Sequence, residues 1–111
     1  MSAYNTVVLP RQINCPHCGS GIRPRIQFKF GDTQQHDYSV GDRIKWGGND
    51  IGEPARLVKA LGYPEDCPVC GKELGGVFDV IVRDGVIADV VPGKTQPYID
   101  ADNANYLVLE P

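Results

Sequence analysis

The sequence predicts a mostly β fold: a small antiparallel sheet with hairpins, gathered around a cluster of four cysteines. Three observations carry that expectation. Cys15-Pro16-His17-Cys18-Gly19 and Cys67-Pro68-Val69-Cys70-Gly71 repeat one template, Cys-Pro-x-Cys-Gly, and together use all four cysteines of the chain. Thirteen glycines and nine prolines in 111 residues call for many turns, as short strands require. Two β-branched runs flank Asp84-Gly85, the dipeptide that most strongly signals a two-residue hairpin.

Residues 1–111 are long enough for one domain with a modest core, to which a metal clamp would add useful stability. Apolar residues at 41% and charged residues at 23% describe an ordinary globular chain. No run approaches the roughly 18 apolar residues of a membrane helix. Met1 to Pro10 has neither a basic start nor an apolar stretch of signal-peptide length. A cytoplasmic location is therefore expected, where thiols stay reduced and Cys-x-x-Cys pairs bind metal or carry out redox chemistry. The net charge of -3 is unevenly spread, with eight Lys/Arg against five Asp/Glu in residues 1–59 and three against nine in residues 60–111.

In chain order, Thr6-Val7-Val8-Leu9 is a short apolar strand stopped by Pro10, and Arg11 to Asn14 leads into the first cysteine turn. Arg23-Pro24-Arg25 is an extended basic approach to the next strand. Ile26-Gln27-Phe28-Lys29-Phe30 alternates, so Ile26, Phe28 and Phe30 share one face. His36 to Val40 reads as the return strand, with Tyr38 and Val40 inward. Arg43-Ile44-Lys45-Trp46 alternates again, and the three runs joined by short turns predict an antiparallel meander. Gly47 to Pro54 is a loop. Ala55 to Leu61 fits a helical face (Leu57, Val58, Leu61) or a strand delivering the chain to the second cysteine turn, and the strand is favoured. Gly75-Gly76 interrupts the chain, and Val77–Val82 and Val86–Val91 form the hairpin around Asp84-Gly85. The tail is polar from Thr95 to Asn105 and ends in a strand, Tyr106 to Leu109.

A Cys-x-x-Cys turn aims two thiolates at one ion, and a second such turn completes a tetrahedral set. The proline fixes its own φ, and the glycine that follows can take φ > 0 so that the backbone folds under the metal. Cys15, Cys18, Cys67 and Cys70 are thus expected to hold one structural Zn²⁺. Four thiolates with Zn²⁺ carry a formal -2, which takes the chain from -3 to about -5. The two five-residue motifs and the strand-rich pattern around them resemble the zinc-ribbon and rubredoxin-like class, in which two such knuckles on β-hairpins hold one ion. That resemblance implies an architecture and no particular process. The 48 residues between Cys18 and Cys67 exceed the spacer of a minimal ribbon, implying a small sheet from Ile26 to Trp46 inserted between the halves.

Two alternatives use the same sulfurs. Rubredoxins bind iron with this knuckle for electron transfer, and soft thiolates accept either ion; the long spacer and the lack of an evident aromatic core point away from iron. Cys15-Pro16-His17-Cys18 also matches the tetrapeptide of DsbA-type thiol oxidoreductases, which sits at a helix start. Gly19-Ser20-Gly21 would disrupt such a helix. His17 is expected to point outward, and His36 to be a solvated strand-edge residue. Arg11, Arg23, Arg25 and Lys29 form a basic stretch beside Phe28 and Phe30, and zinc ribbons often present such a strand to nucleic acid, with aromatics stacking on bases. The acidic balance opposes nucleic acid and favours core aromatics with arginines offsetting the thiolates. Trp46 reads as a core residue before a glycine loop, and Asp50 and Glu53 do not make a carboxylate pair. With no phosphate loop, catalytic triad or His-Glu metal motif, the expectation is a non-enzymatic interaction or accessory module. Its partner is expected to be another protein, which the strand-like C-terminus could dock as a sheet edge.

Overall fold

The computed structural model describes residues 4–111; Met1 to Ala3, the start of the segment read for a signal peptide, lie outside the described residues. The expected β-rich architecture is present. The strands are β1 (Asn5–Val8), β2 (Ile13–Asn14), β3 (Gly21–Ile22), β4 (Arg25–Phe28), β5 (Gly31–Asp32), β6 (Asp37–Tyr38), β7 (Asp50–Ile51), β8 (Leu57–Pro64), β9 (Val77–Arg83), β10 (Val86–Gly93) and β11 (Tyr106–Glu110). One short helix, α1 (Gln96–Asp100), precedes the last strand. The main sheet runs β10-β9-β8-β4-β1-β6, with β11 also paired to β8; β2-β3 and β5-β7 are separate two-stranded pieces. Among the described residues no helix is long and apolar enough to cross a membrane.

Alternation along these strands decides which side chains are buried. Val7, Ile26, Phe28, Tyr38, Val58, Ala60, Val80 and Val82 share the inner face and form one apolar core with Ile87 and Val90. Ile87 and Val90 are three apart, a spacing that strict alternation forbids. A bulge between Ile87 and Asp89 restores both to the core. The β9–β10 turn is the Asp84-Gly85 hairpin, with φ of 51° and 79°, as a type I′ turn requires.

The sheet curls until its ends meet. Arg43 bridges Val86, and the amides of Gly41 and Ile44 donate to the carbonyls of Ile87 and Gly85, each at 2.8 Å. This closure replaces the predicted meander. β6 does not return along β4; it lies parallel to β1, through Thr6 opposite Asp37 and Val7 opposite Tyr38. The reason is that both edges of β4 are already taken, by β1 and by β8. Buried Asn5 sets the alternative path, donating from Nδ2 to the Phe30 carbonyl and accepting from the His36 amide, both at 3.1 Å. Arg43 to Trp46 makes a single bridge and no strand, although Ile44 is buried and Trp46 packs on the core as expected.

Of residues 55–61, Leu57 to Leu61 resolve as strand, the beginning of an element that continues to Pro64, while Ala55 and Arg56 precede it. The polar tail holds the unexpected α1. One turn is too short to show helical periodicity, and tertiary contact stabilises it. Tyr98 is buried on the outer face of the sheet, where its hydroxyl donates to Asp79 Oδ1 at 2.7 Å and its ring lies under the Lys59 ammonium at 5.6 Å.

Candidate metal centre

The four cysteines meet because of strand order. The first motif occupies the connection from β1 to β4, the second the connection from β8 to β9, and β4 lies beside β8 through Ile26 opposite Pro64 and Gln27 opposite Tyr63. Both connections therefore leave the sheet at the same end. Leu9 N–H bonds the Pro24 carbonyl at 3.0 Å, and Glu65 N–H bonds the Arg25 carbonyl at 2.8 Å, carrying the pairing past the strand ends to the knuckles. Residues 26–46 are thus not a sheet inserted into a ribbon. β4 and β6 are strands of the main sheet, β5 pairs with β7 beside it, and the knuckles are extended connections of the main sheet.

The two motifs fold alike. In the first, Cys15 N–H donates to the Ser20 carbonyl and Gly19 N–H to the Cys15 carbonyl, both at 2.9 Å; in the second, Cys67 pairs with Lys72 and Gly71 with Cys67 at the same distance. The amides of His17 and Cys18 point at Cys15 Sγ (3.4 and 3.5 Å), and those of Val69 and Cys70 at Cys67 Sγ (both 3.4 Å). Gly19 and Gly71 have φ of 74° and 76°, a region that only glycine enters without strain. Neither has a neighbour that an added Cβ would strike, so the glycine requirement comes from the backbone alone.

All four Sγ atoms lie within 4.8 Å of one another. Cys15 and Cys70 are 3.7 Å apart across the knuckles, and Cys18 and Cys67 are 3.9 Å apart. A regular tetrahedron with metal–sulfur bonds of about 2.3 Å has sulfur–sulfur edges of about 3.8 Å. The donor set and its spacing fit a tetrahedral ion with soft ligands. Cys15 and Cys67 are buried, Cys70 is half-buried and Cys18 is exposed. Ile13, Ile22 and Leu74 pack around the sulfurs as a small cluster, which Ile13 joins to the main core.

Thiol acidities across the cluster diverge. Bonds from Ser20 hold Cys18 down to about 6, and the Cys70 and Val69 amides lower Cys67. At Cys70 the Lys72 amide pulls downward, but burial and the three neighbouring sulfurs push the thiol up to about 11. Sulfurs this close cannot all carry negative charge unaided, and a divalent cation at their centre removes that conflict.

His17 is exposed, as expected, and it also has a partner. Its ring reaches across to the other knuckle, with Nε2 3.0 Å from the Glu73 carbonyl, tying the two turns together beside the sulfurs. The four basic residues go to different neighbours. Arg11 is held at the β10 edge by the Val90 carbonyl at 2.8 Å and Asp89 at 3.0 Å. Arg25 stands 3.9 Å from Asp37, Arg23 is exposed, and Lys29 lines a hollow of about 350 Å³ with Gln27, Leu61 and Tyr63. Phe28 and Phe30, the aromatics beside them in sequence, are buried in the core and offer no face for a base. Asp50 does not pair with Glu53; its carboxylate takes the amides of Gly47 and Gly48 and closes the glycine loop.

A second polar unit escaped the sequence reading. His36 is not a solvated edge residue: its side chain is 23% exposed and its Nε2 lies 2.9 Å from Asp32 Oδ2. Asp32 Oδ1 accepts the Asn49 amide at 2.8 Å, and Asn49 in turn bonds Thr33 through Nδ2 and through its carbonyl. The unit pins the loop between β5 and β7. The bond from His36, with that from Asn49, holds the Asp32 carboxyl below its ordinary 3.8. A carboxyl depressed in the folded chain contributes stability above its unfolded pKa, and that contribution is lost as pH falls through the folded value. His36→Ala is therefore expected to raise the Asp32 pKa toward 3.8 and to shift the acid-unfolding midpoint upward. A carboxyl titration followed by NMR in both proteins checks this, and an unchanged Asp32 pKa would contradict it.

Against known proteins, the chain matches no family model, no curated protein and no solved structure.

Proposed function

We propose that Cys15, Cys18, Cys67 and Cys70 hold one Zn²⁺ as the structural centre of a zinc-ribbon-type module, and that the chain is a non-enzymatic accessory protein acting on another protein. The observation that carries this reading is the closed donor set: four sulfurs of two matched turns, gathered within 4.8 Å. Four protein ligands fill a tetrahedron, whereas a catalytic zinc keeps a position for water or substrate. Zinc is preferred to iron because aliphatic Ile13, Ile22 and Leu74 surround the sulfurs in place of the aromatic shell of rubredoxins. A protein partner is preferred to nucleic acid because the formal charge of -3 becomes more negative once the thiolates bind the metal, and acidic proteins repel phosphate chains.

The reading is tested on protein purified without added metal, by elemental analysis and a visible spectrum. One zinc per chain and no colour are expected. A red protein that contains iron and bleaches reversibly on reduction would transfer the centre to electron transport. A folded, metal-free protein would return Cys15 and Cys18 to consideration as a redox pair.

A further inference from the structure

We infer that the free edge of β11 is a strand-addition site, and that its occupant is the same strand of a second copy of this chain. The inference deepens the interaction-module reading by naming a surface, and it does not depend on the metal.

The other long edges of the sheet are covered. Along β10, residues 41–44 bond Gly85 and Ile87, and the Arg11 guanidinium caps the Val90 carbonyl. β8 has β9 on one side and β11 followed by β4 on the other. β6 has only two residues. β11 has five residues and, among the described residues, pairs with β8 alone. Its sequence, Tyr106-Leu107-Val108-Leu109-Glu110, has no lysine or proline to discourage pairing, and Val108 and Leu109 are 47% and 49% exposed. Natural sheets normally protect such an edge. Its protective features, the bulge between Val108 and Glu110 and the Glu110 charge, stand at its end and leave Tyr106 to Val108 in regular register.

The ladder shows which groups are free. Leu61 N–H donates to the Asn105 carbonyl at 2.9 Å, so Asn105 turns its backbone toward β8. Alternation then turns Leu107 toward β8 and points Tyr106 and Val108 away. Tyr106 N–H is already taken by Asn103 Oδ1 at 3.1 Å. The outward groups that remain include the Tyr106 carbonyl and both the amide and the carbonyl of Val108.

That pattern favours the strand itself as occupant. Two antiparallel copies related by a twofold axis at Val108 would exchange both Val108 bonds reciprocally, as an isologous interface requires. Glu110 is the only charge in the strand and stands at its end, so each Glu110 falls near the partner's Tyr106 and no like charges oppose each other. Beside the edge, Gly52, Glu53, Pro54, Ala55, Tyr106 and Val108 contribute to a trough of about 410 Å³, which would receive the alternate side chains of an added strand.

The test is sedimentation of the metal-loaded chain over a wide concentration range, with amide exchange measured at both extremes. Association to twice the 12.1 kDa of one chain is expected, with the Val108 amide protected only where the dimer forms. Val108→Pro removes an outward N–H and leaves the bonds to β8 in place; Leu109→Lys sets a like charge beside the axis. Each should weaken association by at least about tenfold, since symmetry doubles every loss. A chain that stays monomeric at all concentrations overturns the proposal and leaves the edge to a strand from a different protein. A dimer that survives both substitutions, or leaves the Val108 amide unprotected, also overturns it. Zinc content measured on the same samples separates failure here from failure of the metal reading.

Discussion

Cys67→Ser is expected to abolish the cooperative thermal transition and most of the native far-UV signal, with Cys15→Ser behaving the same way. Both residues are buried, and each anchors a knuckle by receiving two amides at its sulfur. Binding of a structural Zn²⁺ in small sites is worth on the order of 10–16 kcal/mol at neutral pH. The whole stability of a domain is about 5–15 kcal/mol. The loss is not confined to the knuckles, because of where they sit. β1, β4 and β6 join β8, β9, β10 and β11 at the β4–β8 seam, which has only two paired positions, Ile26 with Pro64 and Gln27 with Tyr63. The metal would brace the two connections immediately beyond that seam. Without it, the seam keeps the Glu65–Arg25 backbone bond, the Gln27–Glu65 side-chain bond and the close fit of Gly62 against Ile26. Circular dichroism with metal analysis checks the outcome. A Cys67→Ser protein with a native spectrum and a cooperative melt would show that the centre is not structural.

What the sequence disclosed follows the range of each interaction. The Asp84-Gly85 hairpin was legible because its turn geometry is dictated by two adjacent residues with positive φ. The four-cysteine cluster was legible because the template carries its own backbone logic, an outcome that needs only the two turns to meet. Why they meet was not legible. It rests on β4 lying beside β8, a pairing between residues 36 or 38 positions apart that alternation alone does not specify. The meander failed for the same reason. Local turns made β4 and β6 plausible neighbours, but β1 and β8 compete for the edges of β4, and the buried Asn5 amide directs β6 to β1.

Short polar units were the least visible. Asp32 falls in one of the short turns between predicted strands and His36 read as a strand-edge residue, because nothing in the sequence announces that Asn49 will close on Asp32 from the far side of a loop. Tyr98 read as part of a polar tail, although its hydroxyl finds Asp79 and its ring leaves solvent. Burial with the partnering hydroxyl–carboxylate bond pushes its ionisation far above the ordinary tyrosine value, so Tyr98 serves as a neutral donor that fastens α1 to the sheet.

The division of the buried apolar residues into two clusters, which share only the half-buried Ile13 at their margin, leads to a last expected result: Phe30→Ala should destabilise the chain by about 3–5 kcal/mol while leaving one bound metal per folded molecule. Phe30 is 1% exposed and lies in the main core, whereas Cys15 and Cys67 belong to the smaller cluster with Ile22. Its ring meets Trp46 edge-on and Tyr106 at a tilt, both with centroids 5.3 Å away. Gly52 lies so close that an added Cβ would come within 2.7 Å of the ring. Removing the ring thus opens a cavity bounded by three segments: the stretch that carries Trp46, the glycine loop and β11. Those walls can collapse only by shifting backbone, which places the cost in the upper part of the usual range for buried aromatics. Urea unfolding of the metal-loaded proteins measures the loss, and zinc analysis of the folded fraction measures the independence. A cost below about 1 kcal/mol would mean that the walls close freely. Loss of metal from a variant that remains folded would mean that the two clusters are coupled through the seam, and that the knuckles depend on the core as much as the core depends on them.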